Sequence, residues 1–243
     1  MIALVRAELI KLFSTRTFFG LVAGAVAVVL LGSASTIISA NPQDLRGPLH
    51  EQTFYVLASI NGGLFALVLG VRGFTDEFRY GTIITTLLSA RRRFSVLGAK
   101  LIVAALAAAT MAIVTEAAMS ATAAMLSSAR GAEVTVSAAD IGAFAGMVGA
   151  FALWAAIGTT LGAIVRHQVP AIVGGLVWVL VIENIGSSLL GDAGRYLPGQ
   201  AAHALADAPV EALASTMGGI VLVAYALVAT VAAARTLVGR DVT

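Results

Sequence analysis

Residues 101–125 read LIVAALAAATMAIVTEAAMSATAAM, a run in which Glu116 is the single charge. As a helix rising about 1.5 Å per residue, such a run outreaches the roughly 30 Å hydrocarbon core of a bilayer. It is too long and too free of apolar–polar alternation for a barrel strand. Working outward, runs of the same kind occupy 17–39, 54–71, 141–165, 169–190 and 215–237, six in all, each of 18 to 25 residues. The composition agrees, with 59% of 243 residues apolar, 12% charged and a mean hydropathy of +0.95. A soluble domain of this size could not place that balance on its surface. The sequence therefore predicts an all-α polytopic protein with six transmembrane helices, forming a single transmembrane domain over 1–243.

Sixteen residues, several of them charged, precede the first run, which is itself longer than the core of a cleavable signal peptide, so it is expected to stay in the mature chain. Within 2–13, Ile2, Val5, Leu9, Leu12 and Phe13 recur at three-to-four spacing, with Arg6, Glu8 and Lys11 elsewhere on the wheel. That pattern predicts an interfacial amphipathic helix. Of the fifteen Lys and Arg residues, twelve fall in alternate segments that include both ends of the chain, against three in the remaining segments. The positive-inside bias then places both termini in the cytoplasm, in a multi-pass protein of the cell (plasma) membrane. The longest cytoplasmic connection is 72–100 and the longest external one 191–214.

Several function classes drop out. There is no cysteine, hence no disulfide, thiolate metal site or cysteine nucleophile. His50, His167 and His203 are scattered over three connections, which argues against a His-based metal site. No Gly-x-Ser-x-Gly elbow, His-Glu-x-x-His helix or clustered cationic-aromatic surface for nucleic acid is present. The two lysines, Lys11 and Lys100, follow Ile10 and Ala99 instead of Gly, so no Walker A loop exists to cradle a nucleotide's phosphates. The chain is not expected to be an enzyme or to hold a cofactor.

The segment 72–100 carries the densest chemistry. Thr75 is placed to cap a short helix with Asp76 and Glu77 in its first turn, where the helix dipole favours carboxylates. Ile83, Ile84, Leu87 and Leu88 give that helix an apolar stripe, and Arg91, Arg92 and Arg93 read as an anchor for anionic headgroups. Lipid anchoring asks for no acidic pair and no helix-weakening glycine, so Asp76, Glu77, Arg79, Tyr80 and Gly81 point to a docking surface for a cytosolic protein.

EFRYGTIITTLLSARRRFSVLGAKL, Glu77 to Leu101, resembles the Glu-aromatic-Arg-x-Gly-Thr segment of type-2 ABC transporter permeases, followed by their basic stretch and a Lys at the next span. The start RAELIKLFSTRTFF, Arg6 to Phe19, is similar to that family's N-terminal elbow, and YLPGQAAHAL, Tyr196 to Leu205, to the segment before its last span. The Pro usual in the family's basic stretch is absent from SARRRF. The resemblance implies a permease subunit, mostly of exporters, that pairs with a second permease subunit, identical or paralogous, and with cytosolic ATPase subunits that bind ATP and Mg. It further implies that Asp76, Glu77, Phe78, Arg79, Tyr80, Gly81 and Thr82 belong to a coupling helix touching the ATPase, with Glu77 and Arg79 making charged contacts and Gly81 allowing close approach. Glu8, Lys11 and Arg16 would form the elbow.

Two carboxylates, Glu116 and Glu183, fall within spans, where a charge costs about 2.5 kcal/mol or more and so faces protein or a cavity. Counting along their spans puts both in the outer half, where they could share a layer. One reading makes them a cation, proton or polar-substrate site; the other makes them a structural pair, helped at Glu183 by Asn184. The first would suit an ion-driven secondary transporter or channel, the alternative to an ATP-driven permease. Gly142 with Gly146, and Gly158 with Gly162, are small-xxx-small pairs suited to close helix packing within the subunit.

Overall fold

The computed structural model describes residues 1–41, 45, 47–48, 53–89, 93–132, 134–135, 137–206 and 213–239. Arg91, Arg92 and His50 lie outside the described residues. The helices are α1 (Ile2–Ser14), α2 (Arg16–Ser39), α3 (Thr53–Arg79), α4 (Ile83–Ser89), α5 (Arg93–Ala129), α6 (Ala138–Val165), α7 (Gln168–Val177), α8 (Glu183–Leu189), α9 (Pro198–Leu205) and α10 (Ser215–Gly239). A π-helical turn, Trp178–Ile182, joins α7 to α8, and a two-residue parallel pairing links Gly47–Pro48 to Val134–Thr135. Among the described residues, five stretches are long and apolar enough to cross a membrane: α2, Phe94–Ala129 of α5, α6, Gln168–Leu189 and α10. The protein is therefore all-helical and multi-pass. The run expected at 54–71 lies inside α3, a helix of 27 residues and so about 40 Å long.

Two expected boundaries are corrected. Residues 72–79 do not start a new helix; they continue α3, and Thr75 caps nothing, its hydroxyl donating one turn back to the Val71 carbonyl. The helix stops further on, at a Schellman turn in which the Thr82 N–H donates to the Glu77 carbonyl and the Gly81 N–H to that of Phe78. Gly81 sits there with φ +68°, a conformation that a Cβ would strain. The short helix that follows, α4, keeps Ile83 buried and turns Ile84 and Leu88 outward, so the expected stripe is split. The second correction concerns 169–190, which is not one continuous α-helix. Its middle residues WVLVI take the wider π turn.

α3 and α6 form the centre. Lipid supplies no hydrophobic drive for helix association, so close backbone approach between small residues has to supply the packing. A Cβ on Gly70 would stand 2.0 Å from the Ala155 carbonyl oxygen, and one on Gly158 2.1 Å from that of Leu67. Gly162 meets the Val71 carbonyl in the same way, so the Gly158 and Gly162 pair packs α6 on α3 within the chain. Gly146 instead touches Leu205 of α9, and Gly142 faces open space. α5 and α6 are about half buried along their apolar windows, whereas α2, α7–α8 and α10 present most of their surface outward. That division suits a bundle with an inner core and a lipid-facing rim.

The connections are more built than loops. The chain breaks at Thr15, whose extended backbone separates α1 from α2, and Phe13 and Phe18 meet edge to face across the break at 5.1 Å. Arg130 donates to the Ile37 and Ile38 carbonyls, satisfying orphan acceptors at the end of α2. Within 191–214, a 3₁₀ turn (Gly191–Tyr196) leads into α9, which packs on α6 and α10 and starts with Pro198 at a position where no N–H is needed.

Candidate functional site

At the end of the bundle where α3 finishes, four charges meet from three helices. Lys100 Nζ of α5 is 2.7 Å from Glu8 Oε2 of α1 and 2.9 Å from Glu77 Oε1 of α3, and donates to the Gly73 carbonyl at 2.7 Å. Lys11 Nζ of α1 lies 2.7 Å from Glu8 Oε1 and 2.7 Å from Glu77 Oε1. Thr86 of α4 donates its hydroxyl to Glu77 at 3.3 Å. Two cations and two anions balance, which is the condition for holding charges out of water. Lys100, Glu77 and Glu8 are buried, and Lys11 is half exposed. Lys100 also stands 5.2 Å from the centre of the Phe74 ring.

The chemistry of the cluster follows from that crowding. Burial opposes ionisation of Glu8, but Lys100 beside it, then Lys11, outweighs burial and holds its carboxyl below the ordinary range. Burial likewise opposes the Lys11 charge, while hydrogen bonds to Glu77 and Glu8 outweigh it and raise its pKa. Glu77 Oε2 is buried with no hydrogen-bond partner, so this carboxylate is held from one side only. The cluster cannot be sheared without exposing an unpaired charge in the interior. It therefore locks α1, α3, α4 and α5 to one another.

This arrangement shows which side of the first helix meets the bundle. The α1 face turned to the bundle carries Glu8, and it is Ile2, Ile10 and Phe13 that stay exposed. Arg16, at the start of α2, is exposed and takes no part in the cluster. The 76–82 run separates in the same way. Glu77 points inward, and Asp76 pairs with Arg72 one turn earlier at 2.8 Å. Phe78 lies under the Arg166 guanidinium at 5.5 Å, and Arg79 donates to Gln168 at the start of α7. Arg79, Tyr80, Gly81 and Thr82 form the exposed turn, with the Tyr80 side chain 68% exposed. A Cβ on Gly81 would meet nothing within 4 Å in this chain, and the φ of +68° gives the glycine its place as the helix stop.

The intramembrane carboxylates occupy different surroundings. Glu116 is buried on the α5 face shared with Ala112, Met119 and Ala123. Glu183, at the end of the π turn, accepts from the Trp178 indole N–H at 3.1 Å and from the Gly199 backbone N–H at 2.7 Å. Its carboxylate thus sits at the N-terminus of α9, where free N–H groups and the helix dipole favour an anion. Asn184 does not help it; that amide is exposed and donates to the Leu180 carbonyl. Glu116 is absent from the lining of the cavity beside Glu183.

The sequence places Lys100 at the start of a span and gives no sign of the parts that Thr86, Trp178 and Gly199 play, while His203 stands out in it only as one of three scattered histidines. One signal existed: every other cation in the chain is Arg, and both lysines stand in the cluster. A compact ammonium can be shared among several oxygens in a small space, where a planar guanidinium does not fit. No protein-family model matches the chain, and no curated protein matches it as a relative.

Proposed function

We propose that this chain is the permease subunit of an ATP-driven transporter, with six spans, both termini in the cytoplasm of a plasma-membrane protein, and ATP bound by a separate ATPase. The observation that carries the reading is the position of the charge cluster directly behind an exposed turn. Arg79, Tyr80, Gly81 and Thr82, with Ile84 and Leu88 beyond them, offer cation, aromatic and apolar groups to a partner. Immediately inside, Glu77 ties that turn to α1 and α5. A partner that pushed on the turn would move α3, α5 and α1 together, as coupling between distant sites requires. α1 is the elbow and 79–88 the coupling element of this reading, with export its direction and a second permease chain, identical or paralogous, completing the transporter.

An ion-driven carrier using Glu116 and Glu183 together has less support, because Glu116 lines no part of the cavity beside Glu183. The test is chemical cross-linking from Tyr80→Cys, which creates the single thiol of a chain that otherwise lacks cysteine. The adduct expected in native membranes is a protein with a Walker A loop, whose hydrolysis the unmodified permease stimulates. Full transport by the purified chain in vesicles without ATP would overturn the proposal.

A further inference from the structure

Two cavities share the Trp154 ring as a wall. One is an apolar cleft of about 280 Å³ between α6, α7 and α10, bounded by Leu67, Ile157, Leu161, Trp178 and Tyr225. The other is small, about 70 Å³, with the polar side chains of Glu183, Asn184, Gln200 and His203 in an otherwise apolar wall. The two are neighbours, since both touch Trp154, and Trp178 and Pro198 line the first while Val179 and Gly199 line the second. The π turn produces the junction, because its i to i+5 geometry brings Trp178 and Glu183 onto one face and lets the indole reach the carboxylate.

The smaller cavity is short of one kind of group. Glu183 is 3% exposed and both its oxygens accept N–H bonds, yet among the described residues no cation lies within ion-pair reach of it. His203 Nδ1 is buried with no hydrogen-bond partner. A buried carboxylate without countercharge, beside an orphaned ring nitrogen, leaves acceptors and negative charge unanswered. A primary ammonium supplies positive charge and three donors and asks for no donor in return. Its hydrocarbon would lie in the cleft, whose indole walls also attract cations. A Cβ on Gly174 in the cleft wall has nothing within 4 Å, so the cleft has room there.

We propose that the two cavities form one binding site for a lipophilic primary amine, its ammonium against Glu183 and His203 and its alkyl chain between Trp154 and Trp178. The amine's role as cargo rests on the transport reading; its binding does not, and the test needs no ATPase. The chain's two tryptophans are Trp154 and Trp178, so intrinsic emission reports this site alone. The purified protein in zwitterionic nanodiscs is titrated with octylammonium brominated at its terminal carbon, and with the equally brominated octanol, bromine quenching indole on contact. Saturable quenching is expected, with a midpoint for the amine about tenfold below that for the alcohol. Glu183→Gln should erase that preference, and Gly174→Leu, which fills the cleft while leaving the carboxylate in place, should remove saturable quenching by both probes. Equal midpoints for amine and alcohol in the unmodified protein would show a cleft for lipid tails only and overturn the proposal. So would a preference that survives Glu183→Gln, or quenching that never saturates. None of these failures bears on whether an ATPase docks at Tyr80, and loss of the docking result leaves the amine site standing.

Discussion

Lys100 and Glu8, 92 residues apart in the chain, meet at 2.7 Å in the interior of the bundle. Neither helix could keep its charge there alone. A lone buried ammonium or carboxylate carries a desolvation penalty of several kcal/mol, which only a well-placed partner and further hydrogen bonds offset. The pair therefore makes the position of α1 conditional on that of α5, and Glu77 adds α3 to the same condition.

Removing Lys100 should expose that dependence. Lys100→Met leaves Glu8 and Glu77 sharing Lys11 alone, and a loss of about 3–5 kcal/mol is expected, as for breaking a buried pair from one side. The readout is the thermal midpoint of the purified protein, followed by tryptophan emission. Adding Glu77→Gln should restore part of the loss, because it removes the surplus negative charge, and the double-mutant cycle measures the coupling. A midpoint unchanged by Lys100→Met would mean that the cluster contributes nothing to stability.

The cluster also sets a pH window. Glu8 titrates below its ordinary 4.5 in the folded protein, so its contribution is complete above that pH and is lost as pH falls through the lower folded value. Lys11 titrates above its ordinary 10.5, so its contribution is complete below that pH and is lost as pH rises past the folded value. Thermal midpoints should be level between the two limits and fall beyond each. Glu8→Gln should shrink the acid limb and Lys11→Met the alkaline one. An acid limb identical in Glu8→Gln and the parent protein would contradict the assignment.

Five of the apolar runs were legible because span length is a local property: an uninterrupted apolar sequence is long enough to cross lipid whatever its neighbours do. The cluster was not, since its ion pairs between helices join residues 23 to 92 positions apart and no local pattern encodes that proximity. The run past Val71 was misread for a related reason. Thr75 followed by Asp76 and Glu77 has the composition of a helix start, but the Arg72–Asp76 pair one turn apart supports a helix already under way. The stop signal is Gly81, visible in the sequence and set at φ +68° where α3 ends. The π turn had no signal of its own, because Trp178 to Ile182 are all apolar, and it is the bond from Gly199 to Glu183, across 16 residues, that fixes the register there.

Orientation can be read with single thiols, given a chain without cysteine. Ser14 ends α1 and Gly131 follows α5, and both are exposed. A membrane-impermeant maleimide applied to intact cells should label Gly131→Cys and spare Ser14→Cys until the membrane is opened, in line with the basic-residue bias. Labelling of Ser14→Cys from outside would invert the topology and remove the cytosolic partner from the exposed turn.

Within 76–82, stability and docking should come apart. Glu77 is buried in the cluster, so Glu77→Gln is expected to lower the thermal midpoint whether or not a partner is present. Arg79 and Tyr80 are exposed, and among the described residues their side chains make the Gln168 bond and stack on each other. Arg79→Glu with Tyr80→Ala should therefore leave the midpoint within about 0.5 kcal/mol of the parent, as surface substitutions do, while abolishing co-purification with the ATPase. Gly81→Val falls between, because φ +68° strains a β-branched residue by about 1–2 kcal/mol and loosens the turn that presents Tyr80. It should weaken docking in proportion to the loss of helix stop, and Gly81→Asn, which tolerates this conformation, should restore it. If Arg79→Glu with Tyr80→Ala retains the ATPase and transports normally, the turn is a membrane-surface feature and the force must enter the bundle elsewhere.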